Sequence, residues 1–230
     1  MVEQIIARLE PLVTERRAAR MQQVLATRSD HVAFVFEHMV DPHNLSAVLR
    51  TLEALSFQDA WLIGPAERVQ LARRVTQGSE QWLTVHARED TAECFADLRA
   101  RGYRVVASHV APGRSRPLNA LDAGRRLALV FGNEHAGVSA EGVAQADDLF
   151  HIPMLGFVES FNLSVAAAIC AHHLRGEMER RRAADACPER FALCARRRRE
   201  LYAAWLCHSV RNAERVLAEA GLALPAAAGT

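Results

Sequence analysis

Three stretches of the 230-residue chain carry side chains suited to chemistry. The first runs from Asp41-Pro42-His43-Asn44 to Arg50. The second is Gly132-Asn133-Glu134 with Gly137 following. The third is Ile152-Pro153-Met154, then Gly156, then Ser160-Phe161-Asn162-Leu163-Ser164. Asn44 or Ser46 is suited to open a helix. Six residues turn a helix through about 600°, so Arg50 lies about 120° round from Asn44, and both can lean toward one site at the helix N-terminus. A guanidinium set among Leu, Ala and Val needs a partner. A nearby acid such as Glu134 would serve, and so would a phosphate or a reacting oxygen. Glu134 follows an apolar run that reads as a parallel strand, and ligands bind beyond the carboxyl ends of such strands. Capping a helix or pairing an arginine is its competing role. Ser160, Asn162 and Ser164 fit a helix start as well as a substrate contact.

Other chemistries find little support. The Gly132 loop has neither the Lys-Ser/Thr of a P-loop nor the G-x-G-x-x-G of a dinucleotide fold. Ser160 is not set in a G-x-S-x-G elbow. The five cysteines form no CxxC pair and the ten histidines no H-x-x-x-H pair. Asp147-Asp148 reads as a solvated pair, and no metal site is expected. The chain starts without a secretory leader and has no apolar run near the roughly 18 residues of a membrane span, so it is expected in the cytoplasm. All 28 basic residues are arginine and the formal net charge is only +1. The arginines nevertheless cluster at Arg8, Arg16, Arg17, Arg20 and Arg28, at Arg175 and Arg180–Arg182, and at Arg196–Arg199. A nearly neutral protein can present such patches to phosphates.

The elements that must position these residues alternate. Residues 1–27 read as a short and a longer helix parted by Pro11. Strands are expected at His31–Phe36, Ala60–Pro65 with a Gly-Pro stop, Arg104–Ser108, Leu127–Gly132 and Leu149–Pro153. Helices are expected after Asn44, at Thr91–Arg101, at Ser139–Ala146, at about Phe161–Ala184 and at about Arg197–Ala220. Short apolar strands alternating with helices imply a parallel sheet covered on both faces. Half of the residues are hydrophobic, enough for a sizeable core. The chain divides into a helical extension over 1–30, an α/β core over 31–183 and a second helical extension over 184–230.

Taken together, in this order and spacing, the three stretches resemble the motifs of SpoU-type RNA ribose 2′-O-methyltransferases of the SPOUT superfamily. Asn44 to Arg50 is similar to the family's N-x-x-x-x-x-R. Gly132, Glu134 and Gly137 resemble its G-x-E-x-x-G, and Ile152 to Ala166 its I-P-M-x-G-x-x-x-S-L-N-V-S-x-A. The resemblance spans about 31–183 and looks closest to members that modify a guanosine of tRNA.

It implies a parallel α/β sheet ending in a deep trefoil knot, S-adenosylmethionine as cofactor, and a homodimer with the active site at the subunit interface. It also implies an RNA substrate, tRNA first and its D-loop guanosine in particular. By match, Arg50 is the catalytic arginine, with Asn44, Glu134, Ser160 and Asn162 positioning it and the ribose. Ser108, Gly132, Ile152 and Phe161 would line the cofactor pocket. Arg8, Arg16, Arg17 and Arg20 would hold RNA.

Free arginine loses its proton only above about pH 12. Arg50 would therefore act either as a base helped by a substrate phosphate or as a stabiliser of the developing alkoxide. Asp41 stands where relatives often carry Lys, and Phe161 where they carry Leu. Alternative readings are ribosomal RNA or another tRNA position as target, or a non-catalytic RNA-binding dimer.

Overall fold

The computed structural model describes residues 1–65 and 80–225. Its centre is a seven-stranded sheet in the order β3-β2-β1-β6-β4-β7-β5, with every neighbouring pair parallel. The strands are β1 Val32–Glu37, β2 Asp59–Ile63, β3 Thr84–Arg88, β4 Arg104–Ser108, β5 Ser115–Pro117, β6 Leu127–Phe131 and β7 Asp148–His151. β1, β2 and β6 are buried at every residue. Covered on both faces, they read as unbroken apolar runs rather than alternating ones. β6 lies between β1 and β4, and β7 between β4 and β5, so the later strands enter gaps between earlier ones.

The two-residue period of the strands divides the core. Phe34, Phe36, Leu129 and Phe131 point to one face, under α3 (Pro42–Ala54) and α6 (Leu163–Ala184). Ala33, Val35, Ala128 and Val130 point to the other, where Phe95 and Leu98 of α4 (Thr91–Ala100) pack and the short α5 (Ala140–Gln145) lies alongside α4.

A third apolar cluster is separate from the sheet. It joins Ile5, Ile6 and Leu9 of α1 (Val2–Leu9) to Met21 and Leu25 of α2 (Glu15–Thr27). Leu201, Tyr202, Trp205 and Leu206 of α7 (Ala195–Ser209) and Leu217 of α8 (Ala213–Ala218) complete it. The two ends of the chain thus share one helical core. Pro11 lies in a 3₁₀ turn between α1 and α2, where its missing N–H is harmless.

Several local expectations shift. The sheet gains two edge strands, β3 and β5, beyond those expected. The C-terminal helix is two, parted at Asn212, which takes a left-handed conformation with φ 57°. Asp41, not Asn44 or Ser46, caps α3, its carboxylate accepting from the His43 N–H at 2.8 Å. Pro42 occupies the first helical position, so the cap falls on the residue before it. Asp147 and Asp148 are not a free pair. Asp147 pairs with Arg99 at 2.9 Å and Asp148 with Arg104 at 2.6 Å. No described helix is long and apolar enough to cross a membrane.

Candidate active site

The second stretch leaves β6 into a tight hairpin. Asn133 and Gly137 exchange backbone hydrogen bonds at 3.0 and 2.8 Å. The Asn133 side chain holds the turn by accepting from the N–H of His135 at 2.8 Å and of Ala136 at 3.2 Å. Gly137 takes φ +69°, which L side chains rarely adopt. Gly132 is required for a different reason. A Cβ there would lie 1.9–2.0 Å from the backbone of Gly137 and Val138.

That hairpin aims Glu134 back at the entrance of α3. Its carboxylate accepts from the N–H groups of Val40 at 3.1 Å and Asp41 at 3.4 Å, and from Asn44 Nδ2 at 3.1 Å. Partial burial pushes the carboxyl up. The hydrogen bonds from Asn44 and from the backbone of Glu134, Val40 and Asp41 outweigh it, leaving Glu134 below the usual carboxylate range. Glu134 is therefore an anion at neutral pH and an acceptor only.

That fact orients everything attached to it. Asn44 must present Nδ2 to Glu134, which leaves Oδ1 free to accept from Asn162 Nδ2 at 3.1 Å. Asn162 Oδ1 in turn accepts from the Ser164 N–H at 2.9 Å and Ser164 Oγ at 2.6 Å, which makes Asn162 the cap of α6. One directed chain of hydrogen bonds thus runs from the start of α6 through the start of α3 to the end of β6. All three stretches meet there.

Beside this junction opens a cavity of about 470 Å³ at the carboxyl ends of β4, β6 and β7. Ser108, Gly132, Ile152 and Phe161 line it, together with Glu134, Ser160 and Asn162. Its volume falls in the roughly 300–1,000 Å³ range of small-molecule and cofactor sites. The walls mix Phe131, Ile152, Leu163 and Ala166 with backbone of the Gly132 hairpin. Such walls suit a ligand with a flat apolar part and polar ends. Sequence reasoning does not single out His109, His135 and His151, which also line the cavity; no spacing pattern links them. Among the described residues no cluster of three or more His, Cys, Asp or Glu could hold a metal ion.

Arg50 stands apart. It lies on the exposed face of α3, outside the cavity wall, so the expectation that it is enclosed by apolar neighbours fails. Leu45, Val48, Leu49 and Leu52 take the buried face instead. Nor does it pair with Glu134, whose partners are Asn44 and the backbone. Among the described residues Arg50 has no hydrogen bond or ion pair, and it is free for a group outside this chain.

The third stretch is exposed where it passes the cavity. Leu155, Phe157 and Val158 stand in solvent with Phe161 and Val165 half out. Apolar groups displayed contiguously mark an interaction surface.

The arginine clusters behave differently from one another. Arg8, Arg16, Arg17 and Arg20 are exposed, and none pairs with a carboxylate among the described residues. In the 196–199 run, Arg196 pairs with Glu200, Arg199 with Glu3, and Arg197 bonds Thr84 Oγ1 at 2.9 Å. Arg28 is fully buried.

Residues 31–172 match the profile of the SpoU rRNA Methylase family. The chain is 37% identical over 156 residues to the tRNA (guanosine(18)-2′-O)-methyltransferase of Thermus thermophilus, covering 68% of this chain and 80% of that one. The crystal structure of the A. aeolicus TrmH/SpoU tRNA modifying enzyme superposes with a TM-score of 0.74 at 26% identity, covering 86% of this chain and 98% of that one. The AdoMet-bound rRNA methyltransferase from Sinorhizobium meliloti superposes with a TM-score of 0.57 at 26% identity, covering 68% and 60% of the two chains.

Proposed function

This chain belongs to the SpoU rRNA methylase family, and from that premise we propose that it methylates the ribose 2′-oxygen of a tRNA guanosine with S-adenosylmethionine as donor. The target we assign is the D-loop guanosine at position 18, the nucleotide named for the Thermus thermophilus relative. The observation that carries this reading is the hydrogen-bond chain Ser164–Asn162–Asn44–Glu134 at the mouth of the 470 Å³ cavity. It brings all three motif stretches together beside the cavity.

The cavity fits the cofactor. Gly132 holds the hairpin in a close approach that any side chain would prevent, and Ile152, Phe161 and Leu163 supply an apolar wall. When bound, S-adenosylmethionine supplies an electrophilic methyl carbon on a sulfonium. Ser108, Gly132, Ile152 and Phe161 are the residues we assign to hold it.

Arg50 is assigned to the ribose. An exposed guanidinium is a permanent cation, which suits it to stabilise charge developing on the 2′-oxygen and to bind the adjacent phosphate. Asn44, Asn162 and Ser160 are assigned to orient the sugar, and Glu134 to keep Asn44 in place.

Exposed Leu155, Phe157 and Val158 support a homodimer whose interface passes the cavity, with Arg50 completing the site there. The insertion of β6 and β7 between earlier strands supports a deep trefoil knot in the segment after β6. We take residues 31–183 as the methyltransferase core, working in the cytoplasm. The helical extensions 1–30 and 184–230, packed on each other, form an RNA-holding module with Arg8, Arg16, Arg17 and Arg20 outward.

Incubation of the purified protein with bulk tRNA and methyl-labelled S-adenosylmethionine, followed by mapping of ribose methylation, tests this reading. Label at a D-loop guanosine is expected. Label confined to ribosomal RNA or the anticodon loop would overturn the target, and no label in any RNA would overturn the activity.

A further inference from the structure

A second cavity, sharing no residue with the first, lies in the helical module. It measures about 220 Å³ and is bounded by Arg17, Arg20, Arg28, Glu53, Trp82 and Trp205, with two apolar residues of α2. The two indoles meet edge to face, with centroids 5.4 Å apart at 88°. The Arg17 guanidinium sits 5.2 Å over Trp82 and that of Arg28 5.5 Å over Trp205. Arg28 is the most buried wall residue. Its Nη1 donates to the Phe57 carbonyl at 2.6 Å and its Nη2 to Glu53 Oε1 at 2.8 Å. Its Nε–H, also buried, has no acceptor. The Glu53 side chain is 31% exposed and has one oxygen left to accept.

We infer that this cavity receives one unpaired nucleobase of the RNA substrate, and the inference rests on the function proposed above. Half-buried Trp82 is the indole that can offer a face, Arg17 giving way to the base, and such stacking is irrespective of sequence; Trp205, 2% exposed, backs it edge to face. The polar edge of a base can also donate to the part-exposed Glu53 oxygen that lacks a donor. The volume is below the roughly 300–1,000 Å³ of drug-sized sites, which suits a single base. Charge completes the assignment. Arg17 and Arg20 stand at the wall without an acid partner among the described residues, where the phosphates flanking the base would lie.

The placement also bears on substrate size. The pocket lies beside Arg28 and Trp82, just before the starts of β1 and β3, whereas the methyl-transfer cavity is at the strands' carboxyl ends. β1 has six residues, so the two sites are on the order of 20 Å apart within one chain. A folded RNA can reach both sites at once, and its loops supply unstacked bases.

The test uses the full chain and its intrinsic fluorescence. Trp61 is 1% exposed and serves as the unresponsive background. A single-stranded RNA oligonucleotide and bulk tRNA should both quench the signal, whereas the same oligonucleotide in a duplex and inorganic polyphosphate should not. Trp82→Leu should weaken tRNA binding about tenfold and abolish the quench, with S-adenosylhomocysteine affinity unchanged. Trp82→Phe, which keeps a stacking face, should restore most of the affinity. Equal quenching by polyphosphate or duplex would overturn the pocket, since phosphate contact alone would explain it. So would a folded Trp82→Leu protein that binds tRNA like the parent. If Trp82→Leu does not fold, the parent's discrimination between single strand and duplex decides. A parent that methylates tRNA without this discrimination keeps the proposed function and loses the pocket; a parent that methylates no tRNA loses both.

Discussion

Asn162 Nδ2 donates to Asn44 Oδ1 at 3.1 Å, tying together the N-terminal turns of two helices that are 118 residues apart in sequence. The bond works in one direction only, because Glu134 at the far end can accept but not donate. Asn44→Asp would set a second carboxylate 3.1 Å from Glu134 and offer no donor to it. Asn44→Ala would only remove the link. Turnover should fall about 100-fold for Asn44→Ala, the scale of a small misplacement at a reacting centre, and further for Asn44→Asp. Single-turnover methyl transfer measures this. Equal activity of the two variants would show that the direction of the chain is unimportant.

Gly132→Ala probes the cavity. The added carbon would fall within 2.0 Å of the Gly137 and Val138 backbone, and backbone cannot yield as a flexible side chain does. The hairpin must open, and the wall for the cofactor opens with it. Affinity for S-adenosylhomocysteine by calorimetry should drop at least about tenfold, and thermal stability should fall by several degrees. Gly156→Ala is the control. A Cβ there meets nothing within 4 Å, and binding should be unchanged.

Arg50→Ala should separate chemistry from structure. The side chain is exposed and bonded to nothing among the described residues, so stability should change by less than about 0.5 kcal/mol. Cofactor binding should persist, because Arg50 does not line the cavity. Methyl transfer should be almost abolished. Turnover near that of the parent would remove Arg50 from the catalytic assignment.

The centre of the sheet is legible in the sequence because β1, β2 and β6 must be apolar throughout to be buried on both faces. β3 is hidden by its composition. Thr84, His86 and Arg88 alternate with Val85 and Ala87, and buried His86 both stacks on Trp61 and bonds Asp59 at 2.7 Å. β5 is three residues ending in Pro117, which only a sheet edge tolerates. Motifs single out Glu134, Asn44 and Asn162 but not their bonding to one another, since spacing along a chain says nothing of contacts across 90 or more residues. The exposure of Arg50 is hidden for a related reason. Its apolar sequence neighbours lie on the opposite face of the same helix.

Stability should fall on mild acidification, and His31 should be part of the cause. The ring is buried and tilted 54° against Phe191 with centroids 4.6 Å apart, and its Nε2 lies 3.0 Å from the Ala123 carbonyl. Burial, chiefly, holds the imidazole below its ordinary value, opposed by the backbone of Ala123 and Arg190 and aided by the charges of Arg126 and Arg190. Folding thus favours the neutral ring. Its contribution is complete above the ordinary histidine value near 6.5 and is lost as pH falls through the lower folded-state value. The melting temperature should drop between pH 7.5 and 5. His31→Gln keeps a donor for Ala123 but does not titrate, and its drop should be smaller, with the remainder owed partly to buried His86, shifted the same way. Identical pH slopes would clear His31 of any role.

RNA affinity should depend on the four arginines that lack an acid partner, in a way that salt exposes. Removing residues 1–28 would be a poor test, because Ile5, Ile6, Leu9, Met21 and Leu25 are part of the core shared with α7 and α8. Deletion would unfold the module and confound binding with stability. Arg→Gln at Arg8, Arg16, Arg17 and Arg20 avoids this, since the exposed side chains are unpaired with acids and the helices keep their buried faces. Every phosphate that the variant no longer neutralises should reduce the slope of log affinity against log salt by roughly 0.7–0.9. The fourfold variant should therefore bind tRNA more weakly at low salt and approach the parent as salt rises, with cofactor affinity constant throughout. The 196–199 run supplies the contrast. Arg197 is only 23% exposed and bonds Thr84, so Arg197→Gln should alter the slope far less than Arg16→Gln. Parallel salt curves for parent and fourfold variant would place the RNA on another face of the protein.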